Sequence, residues 1–205
     1  MKRKQLARLL EQLNASLGKM SKSVIFLLMG GLLVSCAAAV VVGAAGSMGV
    51  YDRRSISTIE RDARIFYVVH KAIVTDRRFY DSRILVSSFN HVVLLVGQTP
   101  VASLRVVAEK IARSGPNVRR VYNEITVDAP LSFTQRSKDT LITTQARSNM
   151  LTEKDLESGS IRIITENGVV YLMGIVTQEQ ANIAVNVARH VPGVTKVVKV
   201  FQYIT

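Results

Sequence analysis

Residues 84–97 read ILVSSFNHVVLLVG, and residues 161–174 read IRIITENGVVYLMG. The two stretches align at a constant offset of 77 positions, and each joins a short strand pattern to a nearly all-apolar run that ends in glycine. The Asn-Gly pair in the second copy is typical of a two-residue β-hairpin turn. The duplicated stretch therefore predicts one hairpin in each of two similar units.

The repeat continues on both sides of the hairpin. Residues 108–118 match residues 184–194 at an offset of 76, and both copies place Pro-x-Val after a helical pattern. Helical periodicity also precedes each hairpin and predicts amphipathic helices over residues 57–75 and 138–151. The apolar positions of the first helix are Ile59, Ala63, Phe66, Val69 and Ile73. Internal repetition with only two copies indicates two small domains rather than a solenoid.

Each unit has the order αββαβ, with last strands predicted over 121–127 and 196–204. A strand–helix–strand crossover lays its helix on one face of the sheet. We therefore expect an α+β fold with two tandem domains, each a three-stranded sheet covered on one face by two helices. The predicted boundaries are 55–128 for the first domain, 129–136 for a linker and 137–205 for the second domain. Units of this size are marginally stable alone, and the sequence leaves open whether the two domains pack together.

The N-terminal segment is typical of an export signal. Residues 1–23 contain six basic residues and one acidic residue, and an uncharged stretch, VIFLLMGGLLV, covers residues 24–34. The sequence Leu33-Val34-Ser35-Cys36 resembles the lipobox of bacterial lipoproteins. In those proteins the cysteine sulfur receives diacylglycerol, the signal is cut before it and the new amino terminus is acylated. We predict a signal peptide over 1–35, lipidation at Cys36 and a tether over 36–54.

An uncleaved transmembrane anchor is the alternative to cleavage. No charged residue lies between Lys22 and Asp52, and residues 24–46 are long enough to span a bilayer core of about 30 Å. The basic flank would then stay on the inner side. The lone cysteine occupies the one position that the lipobox requires, which favours cleavage. Met20 is a second candidate start, and it would leave a more compact signal.

Composition excludes several classes of protein. The chain has 205 residues, is 48% hydrophobic and has one cysteine, so it is neither a disordered chain nor a disulfide scaffold. Its net charge of +12 falls to +7 when residues 1–35, with six basic residues and one acidic residue, are removed. No tryptophan and no long basic patch are present, so we expect no nucleic-acid binding. The positive surface suits anionic lipid headgroups, and a merely solvated basic surface is the alternative.

Catalytic, metal and cofactor sites are not predicted. His70, His91 and His190 lie in different predicted elements, with no acidic residue at an acid–base or ligand spacing. The chain lacks G-x-S-x-G, H-E-x-x-H and P-loop motifs. Gly97 and Gly174 end equivalent strands, where a backbone requirement is favoured over a phosphate-binding loop. We therefore expect a protein that is not an enzyme and that needs no cofactor.

The duplicated αββαβ pattern resembles the BON domain of bacterial envelope proteins. Several segments are similar to the dual-BON-domain outer-membrane lipoproteins of the DolP/YraP family, and the resemblance covers residues 33–205. These segments are residues 36–44, 93–98, 121–125, 139–144 and 165–174. The resemblance implies a periplasm-facing outer-membrane lipoprotein that supports envelope integrity. Ala37 fits the outer membrane, because an aspartate after the lipidated cysteine would be the usual inner-membrane retention signal.

The resemblance also implies that the first helix of the second domain binds anionic phospholipid. In this helix Ile142, Ala146 and Met150 are expected to face the sheet, which leaves Leu141 about 100° away on the wheel and free to insert into a membrane. Family members can carry tryptophan at the position of Leu141, so insertion is expected to be weaker here. Packing of Leu141 between the domains is the alternative. The candidate phospholipid-binding residues are Lys138, Leu141, Arg147, Leu151 and Lys154.

A protein-interaction adaptor is the second functional hypothesis. It would hold an envelope protein partner through its sheets or its basic surface, without direct lipid binding by the domains. The sequence names neither that partner nor the oligomeric state or the preferred lipid headgroup.

Overall fold

The two copies of the repeat fold with the same order of elements. The computed structural model describes residues 51–205, so the predictions for the signal, for Cys36 and for residues 36–50 of the tether lie outside the described residues. Short 3-10 turns at Arg77–Phe79 and Ser158–Ser160 precede the hairpins. The helices and strands are α1 (Ile56–Thr75), β1 (Arg83–Phe89), β2 (Val92–Thr99), α2 (Ala102–Arg113), β3 (Arg120–Val127), α3 (Phe133–Thr152), β4 (Ile161–Glu166), β5 (Val169–Val176), α4 (Gln178–Arg189) and β6 (Lys196–Tyr203).

Each unit contains one three-stranded sheet, with strand orders β1-β2-β3 and β4-β5-β6. The hairpin strands pair antiparallel, whereas the third strand pairs parallel to the middle one. A parallel pair needs a crossover, which α2 and α4 supply on one face of their sheets. The predicted α+β fold, with two helices on one face of each sheet, is confirmed.

The cores lie between these helices and sheets. In the first domain Ile65, Val69 and Ile73 of α1 pack with the small residues Ala108 and Ala112 of α2 against the sheet. The second domain repeats this arrangement, and its α3 buries Ile142, Ala146 and Met150, as predicted. Alanines on α2 and α4 let each crossover helix approach its sheet closely.

The opposite faces of the two sheets pack against each other. Phe89, Leu94 and Val96 of the first sheet form one buried cluster with Tyr171 and Met173 of the second. All eight residues of β2 are buried, because helices cover one face and the other sheet covers the second face. Near-continuous apolar strands are typical of sheets that are covered on both faces. The apolar runs of β2 and β5 are therefore the sequence signal for the interdomain packing.

Polar contacts surround the apolar interface between the domains. Glu166 is buried there, where it pairs with Arg83 and accepts a hydrogen bond of 2.9 Å from Gln98. At another point Asn90 donates to Gln202 at 2.8 Å. Burial, together with the nearby carboxylates of Glu124 and Glu166, raises the pKa of Tyr171 to about 12. The phenol therefore stays neutral inside the interface at physiological pH.

Residues 51–54 contact both domains. The backbone N–H of Arg53 donates to Ser160 Oγ at 3.1 Å, and the Arg53 guanidinium bonds Glu157 at 2.7 Å, both in the second domain. Arg54 instead bonds Asp62 of α1 at 2.9 Å and Asp52 at 2.7 Å. Although residues 51–54 were predicted as tether, they belong to the folded part of the chain.

Two predictions about the first helices need correction. The helix predicted over 138–151 begins at Phe133, because Ser132 Oγ accepts a hydrogen bond from the Gln135 amide and caps the helix within the predicted linker. On α1, the predicted apolar positions Ile59, Ala63 and Phe66 are exposed rather than in the core, and the buried face contains Asp62 and Ile65 instead. Because the charged residue Asp62 lies on the buried face, the pattern of apolar residues alone did not identify that face.

Candidate functional site

A buried aspartate fixes the first helix of each domain to the hairpin of its own sheet. Asp139 of α3 is 4% exposed and accepts hydrogen bonds from the backbone amides of Asn167 at 2.7 Å and Gly168 at 2.9 Å. Asp62 of α1 makes the equivalent bonds to the turn at residues 90–91, at 2.6 and 2.9 Å. Both central residues of each turn have positive φ, as a type I′ turn requires. Sequence reasoning missed these aspartates, although their separation by the repeat offset of 77 positions could have revealed them.

Asp139→Ala is expected to lower the free energy of unfolding by about 2–4 kcal/mol, because two turn amides would lose their acceptor and each unsatisfied buried group costs about 1–3 kcal/mol. Thermal unfolding followed by circular dichroism measures the change. Asp81→Ala removes an exposed carboxylate and serves as the control, with no expected change. Equal melting temperatures for the two variants would contradict a positioning role for Asp139.

The five predicted phospholipid-binding residues do not share one face of α3. Leu141 is 69% exposed and lies beside Lys138 on one side of the helix. Arg147 lies about 120° away from Leu141 around the helix axis and neighbours Leu151. Lys154 follows the end of the helix and is exposed. The structure thus brings Lys138 together with Leu141 and Arg147 together with Leu151, and it leaves Lys154 apart.

A groove of about 620 Å³ lies beside Leu141, between α3, the turn at residues 167–168 and the loop that follows α4. Ile142 lines it on the helix side and Gly193 on the loop side. Gly193 has φ +90°, and a Cβ there would lie 3.1 Å from Ile142 Cδ1, so a glycine lets the loop approach the helix. The alternative that Leu141 packs between the domains is wrong. An exposed apolar side chain with a cation beside it is what shallow insertion into an anionic surface requires.

A second, cationic cleft lies between the domains and was not predicted. Its volume is about 440 Å³, and Arg54, Phe89, Arg147 and Arg162 are among its lining residues. The Arg54 guanidinium lies 4.0 Å from the centre of the Phe89 ring, and that of Arg162 lies 5.9 Å from it. These arginines come from three separate segments, so no sequence motif joins them.

The arginines of the cleft influence each other and the nearby carboxylates. Burial lowers the pKa of Arg162, and the positive charges of Arg54 and Arg147 lower it further against the opposing effect of Asp62 and Asp52. Burial raises the pKa of Asp52, but the hydrogen bonds and charge of Arg54 outweigh burial and hold it below its usual range. Asp52 and Arg54 therefore form a charged pair at neutral pH.

A family model for the BON domain matches residues 61–129 and 138–205, which together make up more than half of the chain. The chain belongs to the BON-domain family. This BON-domain protein is 38% identical over 174 residues to "Outer membrane lipoprotein DolP" of Haemophilus influenzae, an alignment that covers 84% of this chain and 90% of the relative. It is also 39% identical over 124 residues to "21 kDa hemolysin" of Actinobacillus pleuropneumoniae, covering 60% of this chain and 64% of that protein.

Among solved structures, the C-terminal domain of CdsD, a structural protein of the type III secretion system of Chlamydia trachomatis, overlaps 74% of this chain and 100% of its own. Its sequence identity is 10% and its TM-score is 0.30, which is too low to establish a detailed correspondence. The similarity to DolP is stronger, because 38% of the aligned residues are identical. The BON-domain protein thus belongs to the dual-BON DolP/YraP family, and the name of its relative agrees with the predicted outer-membrane location.

No reaction follows from the side chains that the structure describes. Residues 51–205 contain no group of three or more His, Cys, Asp or Glu side chains placed to bind a metal ion. His91 Nδ1 lies 3.1 Å from the Asn117 carbonyl oxygen, and His190 Nδ1 lies 2.7 Å from that of Asn186, so both rings have local backbone partners. None of the helices in this part of the BON-domain protein combines the length and the apolar character needed to cross a membrane. That the protein is not an enzyme stays a prediction.

Proposed function

We propose that this BON-domain lipoprotein faces the periplasm, binds anionic phospholipid through α3 of its second domain and thereby supports outer-membrane integrity. The resemblance to the dual-BON family implies such binding. The observation that carries the proposal is the 69% exposure of Leu141 beside Lys138, at the mouth of a groove. Neither residue is needed for the core, since Ile142, Ala146 and Met150 supply the buried face of α3.

The two domains differ at this surface. In the repeat, Arg64 of α1 is equivalent to Leu141, and Arg61 is equivalent to Lys138. The first domain therefore has no apolar side chain at the position of Leu141. At this equivalent position, the second domain combines an apolar residue that can enter the lipid with a cation that can contact a headgroup, whereas the first domain has two arginines. Each Lys or Arg close to an anionic surface contributes about 1 kcal/mol, and burial of a leucine contributes about 1.5–3 kcal/mol. The acyl chains would hold the protein at the membrane, and α3 would orient the domains on it.

Leu141→Glu is expected to weaken binding of a soluble fragment, residues 47–205, to anionic vesicles by at least about tenfold, because it removes the apolar contact and adds a repelled charge. Flotation assays measure the fraction of protein bound to phosphatidylglycerol-containing vesicles and, for comparison, to purely zwitterionic vesicles. Tyr67→Glu is the matched control, because it replaces an exposed aromatic residue on α1 and makes the same change in charge. It is expected to bind like the wild type.

The proposal has two contradicting outcomes. If the wild-type fragment ignores anionic vesicles at low salt, direct lipid binding by the domains is wrong. If Leu141→Glu and Tyr67→Glu weaken binding equally, the effect is one of net charge and α3 has no special role. A folded state for each variant is checked by its melting temperature.

The adaptor hypothesis is favoured by a different surface. Apolar side chains on the outer side of α1 are partly or largely exposed, among them Ile59, Phe66, Tyr67 and Val74. Such a stripe is typical of a protein-interaction surface. If Tyr67→Glu disturbs the outer membrane in cells while vesicle binding is normal, an envelope protein partner at α1 is the better explanation.

A further inference from the structure

The cationic cleft between the domains contains positive charge that the described residues do not neutralise. Arg54 is already paired with carboxylates, because its guanidinium bonds Asp52 and Asp62. Within residues 51–205, the Arg162 side chain donates only to the backbone carbonyl of Ser88, at 3.2 Å. Among residues 51–205, neither Arg162 nor Arg147 has a carboxylate oxygen within 4.0 Å.

The two carboxylates that act on Arg162 from nearby are already bonded. Asp62 accepts hydrogen bonds from the amides of residues 90 and 91 as well as from Arg54. Asp52 accepts from the side chain and the backbone amide of Arg54. An anion in the cleft would therefore find Arg147 and Arg162 as its free cationic partners within the described residues.

The cleft adjoins an apolar pocket. Arg147, Ile161 and Ile163 line both the cleft and a smaller pocket of about 200 Å³, to which Met150 and Leu151 also contribute. Arg147 thus stands between a cationic region and an apolar one. This arrangement would accept a charged group that carries a short apolar segment.

We propose that Arg147 and Arg162 form a phosphate-binding site in the interdomain cleft. A phosphate monoester presents three acceptor oxygens and nearly two negative charges, which matches two guanidinium groups better than a carboxylate does. The planar guanidinium also binds phosphate oxygens in pairs, which a lysine cannot do. A lipid headgroup and a soluble phosphate ester share this chemistry. The site goes beyond the proposed membrane contact, since it lies about 120° around α3 from Leu141.

The test uses the mature lipoprotein in detergent, titrated calorimetrically with inorganic phosphate and with glycerol 3-phosphate. Arg147→Gln and Arg162→Gln are each expected to weaken binding of these probes at least tenfold. Arg136→Gln removes the same charge from an exposed position on α3 and is expected to leave binding unchanged. Arg162 is part-buried, so its replacement could disturb the fold. Arg147 is exposed, so Arg147→Gln is expected to keep the fold. The melting temperatures of both variants check this.

A second arm identifies the source of the phosphate. Nanodiscs that contain phosphatidic acid are titrated with the same variants and with Leu141→Glu. Arg147-dependent binding of glycerol 3-phosphate in solution supports a site for soluble phosphate esters. Arg147-dependent binding of nanodiscs alone, which persists in Leu141→Glu, supports a headgroup site.

The inference is overturned if Arg147→Gln and Arg162→Gln bind every probe as the wild type does, or if the Arg136→Gln control loses as much affinity as they do. In that case a loss of nanodisc binding confined to Leu141→Glu would leave the proposed function of α3 standing. If phosphate binding depends on Arg147 while Leu141→Glu has no effect on nanodisc binding, the phosphate site stands and the proposed function of α3 is wrong.

Discussion

Gly97→Val is expected to unfold the first domain. Gly97 has φ +126°, and a Cβ at this position would lie 2.0 Å from the backbone carbonyl oxygen of Arg83 on the paired strand. The backbone angle alone costs a branched residue about 1–3 kcal/mol, and the overlap adds to it because a backbone atom of the sheet would have to move. We expect the free energy of unfolding to fall by more than about 3 kcal/mol. Denaturant unfolding of the purified protein measures the loss.

Gly174 provides the comparison, because it is equivalent in the repeat but is constrained differently. Its φ is not positive, and a Cβ would lie 2.7 Å from the carbonyl oxygen of Ser160. Gly174→Val is therefore expected to cost about 1 kcal/mol or more, but less than Gly97→Val. A Gly97→Val protein as stable as the wild type would show that β1 can move away from β2. An unchanged melting temperature in Gly174→Val would contradict the close approach there.

Cys36→Ala is expected to abolish lipidation and to leave a larger precursor that keeps residues 1–35. The expectation rests on Leu33-Val34-Ser35-Cys36 directly after the apolar stretch, and on the absence of any second cysteine. Mass spectrometry of the N-terminal peptide distinguishes the acylated mature form from the precursor. Membrane fractionation should then show the variant missing from the outer membrane.

Ser35→Ala is the matched control for Cys36→Ala, because it keeps a small residue before the cleavage point and is expected to be processed normally. Retention of the apolar stretch in the wild-type protein would contradict cleavage before Cys36. If wild-type protein purified from membranes still contains residues 24–35, the anchor is an uncleaved transmembrane helix.

The repeat made most of the fold predictable from sequence. Hairpins, crossover helices and strand order follow from local patterns that occur twice, so each copy supports the other. The apolar stripe of α1 was harder to interpret, because the helix has apolar residues on two faces. Ile65, Val69 and Ile73 are buried, while Phe66 and Tyr67 are largely on the outside. Periodicity alone does not distinguish these faces when a buried Asp62 interrupts one of them.

The candidate sites were predictable to different degrees. The exposure of Leu141 follows from its angle to Ile142 on the same helix, which is a local property. The cationic cleft depends on Arg54, Arg147 and Arg162, which come together only when the two sheets pack. Sheet packing is a long-range arrangement that no single segment specifies, although the apolar runs of β2 and β5 indicate it. Lipid binding by α3 stays a prediction.

The packing of one sheet on the other also sets the order in which the protein can complete its folding. The first domain emerges before the second during synthesis and export. Until β5 and β6 are present, Phe89, Leu94 and Val96 have no partner surface. The contacts that close the interface join residues far apart in sequence, such as Asn90 with Gln202, which are separated by 112 positions. Such non-local contacts form slowly, so a newly exported chain would pass through a stage with an uncovered apolar sheet, and a truncated first domain would stay in that aggregation-prone state.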